Sequence, residues 1–385
     1  MRTYDVIVAG CGLSGAVAAR YFAEVKNKRV LILEKRNHIG GNMYDFVNEE
    51  GILVHQYGPH TFHTKDKALF DFMCRYGEWE EYHLTCGAVI DGVYTPTPFN
   101  FTTIDTFYRE EDAKALKKAI QEAYPNQEFA TVVELLNHEN PLIRGYAEFL
   151  FEKDYSLYTA KQWGVSPKEI DPSVLKRVPI RFNDEVGYFD DAYQVMPKVS
   201  YTAFFEKLLD HENITVQLEV DALDHISLDE ANHCVQIDGK TYTGVVIYTG
   251  AIDALFHGKY GSLPYRSLRF EWKTEHIRSF QDAPVVAYPQ AEGYTRITEY
   301  TKLPVQEVGE KTTYAVEYSL PYRLGVEAEP YYPVLTAQSQ EMYEKYLREA
   351  KQYRNLHLCG RLADFKYYNM DQALKRVLDL TKDFS

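Results

Sequence analysis

Two histidines three residues apart stand in the stretch YGPHTFHT, residues 57–64. His60 and His63 could form half of a zinc or iron site, because ligands at this spacing share a helix face. They could also act as an acid/base pair, line the pocket of another ligand, or have a structural role. Pro59 precedes them, and no HxxxH, CxxH or carboxylate cluster follows nearby. The sequence therefore favours a pocket wall, and we expect no bound metal.

Arginines among aromatic residues form a second group with possible chemistry. Arg177 and Arg181 lie in LKRVPIRF, Arg266 and Arg269 in YRSLRFEW, and Arg296 in YTRITEY. A guanidinium can bind a phosphate through two hydrogen bonds and can stack on an aromatic ring. The combination suits a diphosphate joined to a flat base. Each arginine taken alone could equally form an ordinary ion pair with the acidic excess of the chain.

A glycine-rich turn, GCGLSG at residues 10–15, follows a predicted buried strand at 4–9 and opens a predicted helix at 16–24. Glu34 ends the next predicted strand, RVLILE, 19 residues after Gly15. A GxGxxG turn in this strand-helix-strand context is a dinucleotide-binding signature. Gly10 permits the turn, Gly12 lets the backbone approach a pyrophosphate, and Gly15 allows close helix-strand packing, while Glu34 can accept both ribose hydroxyls.

Two further features select between dinucleotides. Paired glycines follow Glu34 in KRNHIGGN, and a late predicted strand, NLHLC, ends at Gly360-Arg361. Both features resemble the glutathione-reductase type of FAD-binding fold more than an NAD dehydrogenase. No second GxGxxG follows a later strand, so the sequence shows no separate nicotinamide site. The sequence favours FAD.

Other chemistries lack their signatures. No GxSxG follows a strand, which disfavours a serine hydrolase. The five cysteines are scattered and never in CxxC spacing, which disfavours a disulfide framework and a thiol redox pair. A net charge of −14 disfavours nucleic-acid and anionic-membrane binding, so a few local arginines must hold any anionic ligand. No apolar run reaches the roughly 18 residues of a membrane span, and we expect a cytoplasmic protein.

The elements that must position these residues fall into three groups. We predict an α/β fold with a Rossmann-like FAD-binding domain of glutathione-reductase type, an inserted helical bundle and an antiparallel β-sheet domain. The FAD-binding domain is discontinuous and takes residues 1–82, 201–253 and 335–385. The helical insertion takes 103–172. The sheet and substrate region, with a mobile loop, takes 83–102, 173–200 and 254–334. Asp91-Gly92 predicts a type I′ hairpin turn between two short strands.

Eleven segments spread along essentially the whole chain form a recognisable combination. They are EKRNHIGGN (34–42), YGPHTFHT (57–64), PFNF (98–101), YTAKQWG (158–164), LKRVPIRF (175–182), YFDDAYQ (188–194), YTG-ID (248–253), YRSL-F (265–270), YTRI-E (294–299), EPYYPV (329–334) and GRLADFKYYNMD (360–371). Together they resemble the motifs of the bacterial UDP-galactopyranose mutases. The resemblance implies the same three-part architecture, with the active site where the parts meet.

The resemblance also implies a reaction. Such enzymes are isomerases that interconvert UDP-galactopyranose and UDP-galactofuranose without net oxidation, and they require reduced FAD. In the family mechanism flavin N5 attacks the anomeric carbon of the sugar, expels UDP and forms a flavin-sugar adduct. The resemblance further implies a UDP-sugar partner, a homodimer, and a galactofuranose product that is used for cell-surface polysaccharide.

The resemblance assigns roles by position. Arg177, on a mobile loop that closes over the diphosphate, Arg296 as a second diphosphate clamp, and His63 beside the flavin are implied as catalytic. The residues implied to bind substrate are Tyr158, Trp163, Arg177, Tyr188, Arg266, Arg296, Tyr318 and Tyr367. The residues implied to bind FAD are Gly10, Gly12, Leu13, Ser14, Gly15, Glu34, Lys35, Gly41, Asn42, His60, Thr61, Arg361, Asn369 and Met370.

Three departures from the family pattern leave the sugar open. Asn369 stands where a carboxylate is usual, Cys86 where an asparagine is common, and Val195 where the family has a glycine. The substrate could therefore be UDP-galactose, UDP-N-acetylgalactosamine, UDP-arabinopyranose or a nucleotide-deoxyhexose. Two rival functions also remain: an amine-oxidase-like flavin oxidoreductase, and a non-catalytic protein that binds a sugar nucleotide.

Overall fold

The computed structural model describes residues 4–164, 178–322 and 329–384. Its helices are α1 (Leu13–Glu24), α2 (Lys67–Tyr76), α3 (Phe101–Phe107), α4 (Glu110–Ala123), α5 (Val132–Leu136), α6 (Pro141–Leu150), α7 (Ser156–Trp163), α8 (Tyr201–Leu209), α9 (Ile252–Leu255), α10 (Ala337–Ala350) and α11 (Met370–Lys382). Short 3₁₀ turns lie at Gly41–Met43 and Ala222–Asp224, and a π turn lies at Phe151–Tyr155.

The strands follow the same order along the chain. They are β1 (Val6–Ala9), β2 (Val30–Glu34), β3 (Asp45–Val47), β4 (Leu53–His55), β5 (Phe62–Thr64), β6 (Trp79–Glu81), β7 (Cys86–Ile90), β8 (Val93–Thr97), β9 (Phe129–Ala130), β10 (Ile180–Arg181), β11 (Tyr193–Pro197), β12 (Ile214–Leu218), β13 (Ile226–Asp229), β14 (Cys234–Ile237), β15 (Lys240–Thr241), β16 (Val245–Tyr248), β17 (Tyr265–Glu275), β18 (Val285–Ala287), β19 (Arg296–Glu299), β20 (Thr312–Pro321), β21 (Tyr332–Pro333) and β22 (Leu356–Leu358).

A parallel sheet carries the glycine-rich turn. Five of the described strands form it in the order β12-β2-β1-β16-β22. All four residues of β1 are buried, as expected for a strand covered on both faces. Val6 and Val8 pack in one core with α1, whereas Ile7 and Ala9 pack in a second core with α10. This alternation fixes the register, since a shift by one residue would exchange the two faces. The predicted Rossmann-like α/β fold is confirmed.

A second, larger sheet is mostly antiparallel. Its described strands have the order β21-β17-β20-β19-β18-β7-β8, and the pair β18-β7 is parallel. The long strands β17 and β20 pair over ten positions, from Arg266 opposite Pro321 to Glu275 opposite Thr312. In the hairpin β7-β8, Asp91 and Gly92 both have positive φ angles, of 50° and 80°. The type I′ turn predicted from this dipeptide is confirmed.

The helices α3 to α6 and the π turn pack around a third core. Buried side chains of this core include Phe99, Ile120, Tyr146 and Leu150. Helix α6 runs through the π turn into α7, where the Ser156 N–H bonds to the Phe151 carbonyl five residues back. Such a turn inserts one residue into the helix and shifts the side chains that follow. The assignment of whole segments to three domains stays a prediction.

Several short strands were not predicted. His63 lies in β5, which pairs with β11, and the stretch 178–200 contains β10 and β11. The argument that His60 and His63 share a helix face was therefore wrong. Helix α2 ends at Tyr76, and β6 follows it. Within the described ranges, no helix has both the length and the apolar composition that crossing a membrane requires.

Candidate active site

Two adjoining cavities lie where the sheets and the helices meet. The first cavity, of about 430 Å³, surrounds the glycine-rich turn and the carboxyl ends of the parallel strands. The second cavity, of about 590 Å³, lies between α7, the larger sheet and β5. Residues common to both linings form a shared wall, and they are Asn42, His60, Tyr331, Arg361, Asn369 and Met370. A ligand in the first cavity can therefore touch a ligand in the second.

The glycine-rich turn forms a cradle in which side chains would not fit. A Cβ atom on Gly10 would lie 2.3 Å from Thr249 Oγ1, and one on Gly15 would lie 2.0 Å from the Gly10 carbonyl oxygen. A Cβ atom on Gly41 would lie 2.7 Å from the Gly12 Cα atom. Gly12 precedes α1 and offers no side-chain cap, and the first turn of the helix has no acidic residue. The first N–H groups of α1 are therefore available to a ligand in the cavity that Gly12 to Gly15 line. This geometry fits the pyrophosphate of a dinucleotide.

The acid predicted to bind a ribose is partly engaged by the backbone. Glu34 is buried, and its two oxygens accept the N–H groups of Cys11 at 2.7 Å and Arg36 at 3.0 Å. Each oxygen retains a lone pair for a ribose hydroxyl. At the rim of the first cavity, Glu329 forms ion pairs with both Lys35 and Arg36. The predicted FAD-binding residues that line this cavity are Gly10, Gly12, Leu13, Ser14, Gly15, Glu34, Lys35, Gly41, Asn42, His60, Arg361, Asn369 and Met370, whereas Thr61 lines the second cavity.

His60 stands in the shared wall as a neutral imidazole. Its Nδ1 lies 2.8 Å from the Gly58 carbonyl oxygen, so Nδ1 carries the proton and Nε2 is left as an acceptor. Burial, more than the neighbouring arginines, lowers the pKa of His60 to about 4. Its backbone N–H bonds to Nδ1 of His55, which is also buried. His60 is thus an acceptor and not a cation at neutral pH.

His63 makes a hydrogen bond to a carboxylate that the sequence interpretation did not assign. Its Nδ1 lies 2.5 Å from Asp191 Oδ2, and its ring stacks on Phe189 at 3.5 Å between centroids. All three residues line the second cavity. The carboxylate fixes Nδ1 as the proton donor and holds the ring in one orientation. Asp191 belongs to the matched segment YFDDAYQ, which was the available signal.

Arg296 brings positive charge into the second cavity. Its Nε and Nη2 atoms each lie 2.8 Å from Glu317 Oε2, and the Glu317 side chain is only 4% exposed. Burial opposes the charge, but the carboxylate of Glu317 outweighs it and raises the pKa of Arg296 well above its ordinary value. The guanidinium keeps N–H donors for an anion, since five are available. Arg296 thus offers a cation to an anionic ligand in the second cavity, and its predicted role as a diphosphate clamp stays a prediction.

Aromatic residues wall the second cavity around Arg296. Tyr158, Trp163, Tyr188 and Tyr367 all line it, as predicted for substrate-binding residues. Trp163 is buried between Tyr332 and Tyr367, with ring centroids 5.2 and 5.5 Å away. These flat faces can pack against a base or a sugar and exclude water.

Lys161 anchors the helix that carries Tyr158 and Trp163. Its ammonium group donates to three carbonyl oxygens, of Tyr288 at 2.5 Å, Ala291 at 2.9 Å and Tyr294 at 2.8 Å. These carbonyls belong to the turn that leads into Arg296. Lys161 therefore fixes α7 against the strand that presents the guanidinium, a role the sequence interpretation missed.

Two predicted substrate residues, Arg266 and Tyr318, are not brought into the cavity lining. Arg266 is buried, and its guanidinium donates to the carbonyls of Gln162 and Lys161 at the end of α7. The hydroxyl of Tyr318 donates to Glu271 at 3.1 Å, and its ring lies under Arg269. Successive residues of a strand point to opposite faces, so the face of β20 that presents Glu317 to the cavity turns Tyr318 away. The position of Arg177 lies outside the described residues.

The remaining side chains suggest ligand binding instead of a metal centre or a protein nucleophile. In the described ranges, no group of three or more histidine, cysteine or acidic residues is arranged to hold a metal ion. Cys86 lines the second cavity, but burial raises the pKa of its thiol to about 12. Its thiolate is therefore scarcely populated at neutral pH. The arrangement can bind an anionic ligand against aromatic walls, next to a dinucleotide.

The sequence matches two family profiles. One, described as UDP-galactopyranose mutase, covers residues 153–367, and the other, an NAD(P)-binding Rossmann-like domain, covers residues 8–76. The chain is 36% identical over 382 residues to UDP-galactopyranose mutase of Mycoplasma pneumoniae, covering 97% of this chain and 94% of the relative. It is 34% identical over 376 residues to dTDP-fucopyranose mutase of Escherichia coli, covering 97% of this chain and 96% of the relative.

Solved structures agree on the fold. A crystal structure of reduced UDP-galactopyranose mutase superimposes with a TM-score of 0.74 at 16% identity, covering 100% of this chain and 95% of that one. A putrescine oxidase with bound putrescine superimposes with a TM-score of 0.58 at 12% identity, covering 99% of this chain and 98% of that one. At these identities the likeness concerns the fold alone.

Proposed function

The chain belongs to the UDP-galactopyranose mutase family, and we propose that it interconverts the pyranose and furanose forms of a UDP-sugar, UDP-galactose first among the candidates. The observation that carries this proposal is the junction of the two cavities. A dinucleotide cradle and a cavity containing Arg296 share the wall formed by His60, Arg361 and Asn369. A sugar nucleotide whose diphosphate binds Arg296 can therefore place its sugar against the ring that the dinucleotide presents at the shared wall.

The cofactor is FAD, and the enzyme is an isomerase. In its reduced form FAD supplies a nucleophile, flavin N5, for the anomeric carbon of the sugar. This role suits a cavity in which Cys86 is a protonated thiol and His60 is already bonded to the Gly58 carbonyl. The glycine cradle and Glu34 would hold the cofactor, His60 would contact its ring at the shared wall, and His63 would approach the ring from the second cavity.

The residues of the second cavity bind and shield the substrate. Arg296 neutralises the diphosphate as the bond to the sugar breaks, which favours departure of UDP and its later return. Tyr158 and Trp163 exclude water from the reacting sugar, since hydrolysis would divert it. We further propose that Arg177 closes over the diphosphate, and that a cytoplasmic homodimer supplies galactofuranose for cell-surface polysaccharide.

A deoxysugar nucleotide is the second candidate substrate. Two of the three departures from the family pattern, Cys86 and Asn369, line the second cavity, whereas Val195 is buried in the core. A thiol forms weaker hydrogen bonds than the amide it replaces, which favours a substrate with one fewer hydroxyl. The relative named dTDP-fucopyranose mutase is consistent with this possibility.

A substrate panel decides between the two candidates. Dithionite-reduced protein is incubated with UDP-galactofuranose or dTDP-fucofuranose, and the pyranose products are separated by HPLC. Rapid conversion of UDP-galactofuranose supports the first candidate, and a preference for dTDP-fucofuranose supports the second. Conversion of neither compound would contradict the proposed mutase activity.

A further inference from the structure

Asp154 is an acidic side chain in the second cavity that the mechanism above does not use. It lies on the π turn, beside Tyr155, and lines the cavity together with Phe99 and Val178. These neighbours belong to the helical core, with Tyr155 donating to the Val178 carbonyl at 3.0 Å. The wall shared with the first cavity is built by other residues, among them His60. Asp154 therefore belongs to the part of the cavity away from the cofactor.

Asp154 forms no hydrogen bond or ion pair within 4 Å with any residue in the described ranges. Lys161 is the charged group that attracts it, but the lysine ammonium is held by three carbonyl oxygens and is not bonded to Asp154. Burial raises the pKa of Asp154 to about 7, and Lys161 only partly opposes this shift. A desolvated acid that no described residue pairs with is free to bind a group of the ligand, and such a contact would offset the free energy that leaving it unmatched costs.

The order of the sugar, diphosphate and base in a UDP-sugar indicates which of these groups contacts Asp154. The anomeric carbon must reach the wall shared with the cofactor, and the diphosphate must reach Arg296. The ionised form of Asp154 would repel a phosphate placed beside it, and Arg296 already offers the diphosphate a cation. The base is the group that remains for the far part of the cavity.

We propose that Asp154 is a specificity-determining residue that pairs, as a neutral acid, with the imide edge of the uracil ring. This inference rests on the proposed function, since it requires a UDP-sugar in the second cavity. The O–H of the acid donates to a ring carbonyl, and its C=O accepts the ring N3–H. Thymine has the same edge, so a dTDP-sugar would be recognised equally. An ionised Asp154 loses the O–H donor and faces the carbonyl lone pairs.

The test measures the affinity of the FAD-loaded protein for UDP-galactose by calorimetry from about pH 6 to about pH 8.5. UDP-galactose is suitable because its diphosphate is a diester that stays ionised over this range. In the wild type, affinity is high at the acidic end, and it falls about tenfold or more as Asp154 loses its proton. Asp154→Leu removes the pairing and lowers affinity at the acidic end to the wild-type value at alkaline pH.

Asp154→Asn is the matched control. The amide presents one donor and one acceptor at every pH, so this variant keeps the high affinity and loses the pH dependence. Lys161 and Tyr155 also face Asp154, and burial lowers the pKa of Lys161 to about 8. Both groups are unchanged in Asp154→Asn. A pH dependence that persists in this variant would assign it to another group and overturn the inference.

An analogue of UDP-galactose methylated at N3 of the uracil provides an independent readout. The wild type should bind it about tenfold or more weakly than UDP-galactose, whereas Asp154→Leu should bind the two ligands alike. Equal affinity of the wild type and Asp154→Leu for UDP-galactose would overturn this inference and leave the proposed function standing. No binding of UDP-galactose by the wild type would overturn both.

Discussion

Arg296, which is half-buried, forms an ion pair with the buried Glu317 at the wall of the second cavity, and we expect Arg296→Ala to weaken the binding of UDP. Loss of charge-assisted hydrogen bonds to the diphosphate should lower the affinity about tenfold or more. The variant should also lose about 2 kcal/mol or more of unfolding free energy, because Glu317 is left buried without its partner. Calorimetry with UDP and urea unfolding measure the two effects.

Arg269→Ala is the control for this prediction. Arg269 lies on the same sheet, but it is half exposed and pairs with the exposed Glu271 at 2.5 Å. An exposed pair of this kind contributes at most about 1 kcal/mol. If Arg296→Ala binds UDP as tightly as Arg269→Ala does, the diphosphate is not held where we place it.

The contact between His63 and Asp191 gives a prediction about the cofactor. We expect Asp191→Asn to make the reduction potential of the bound flavin more positive, on the order of tens of millivolts, since a nearby negative charge disfavours electron uptake. Spectroelectrochemical titration measures this shift, and metal analysis should find no zinc. Asp190→Asn is the control, because Asp190 pairs with Arg181 instead. Equal potentials in the two variants would place the His63 pair away from the flavin.

Sequence reasoning at the residue scale identified residue types well and orientations poorly. Arginine beside aromatic residues predicted anion binding, and Arg296 indeed lines the cavity. Arg266 has the same local sequence character, yet its guanidinium binds carbonyls at the end of α7. Which face of a strand points to a cavity depends on how the sheet packs, and a single segment carries no such information. Glu317 was missed for the same reason, since its partner lies on a neighbouring strand.

At the scale of elements, the glycine cradle gives a prediction with an internal control. Gly15→Ala should lose bound FAD and about 1–3 kcal/mol of stability, because a Cβ atom would lie 2.0 Å from the Gly10 carbonyl oxygen. Gly145→Ala, in α6, has open space around the new atom and should gain about 0.5–1 kcal/mol from helix propensity. Absorbance of released flavin and thermal unfolding distinguish the variants. A Gly15→Ala protein that keeps stoichiometric FAD would contradict the cradle.

Elements stabilised by local sequence were predictable, and those stabilised by distant pairing were not. The turn at Asp91-Gly92 and the strand-turn-helix at 6–24 carry their own backbone preferences. Strand β5 has three residues and exists because β11, far away in the sequence, pairs with it, with Gln194 opposite His63. It is too short to show an alternating pattern, and the sequence indicated only that its histidines form a pocket wall. The π turn that places Asp154 had no sequence signal.

At the scale of the whole molecule, an acidic protein places the half-buried guanidinium of Arg296 in the cavity that adjoins the glycine cradle. The net charge of −14 would repel a nucleotide sugar at long range, so binding depends on short contacts. Lys35 and Arg36, at the first cavity, are already paired with Glu329. The sequence motifs predicted that the three groups meet at the site, but only the folded chain shows the wall that joins the two cavities.

The most direct test of the account is the dependence of turnover on the redox state of the flavin. Protein with oxidised FAD and protein reduced with dithionite are given UDP-galactofuranose, while UDP-galactopyranose is followed by HPLC and oxygen uptake by electrode. The account predicts many turnovers by the reduced protein, none by the oxidised protein, and no oxygen consumed per product. Steady oxygen uptake coupled to product, or equal turnover with oxidised flavin, would contradict it.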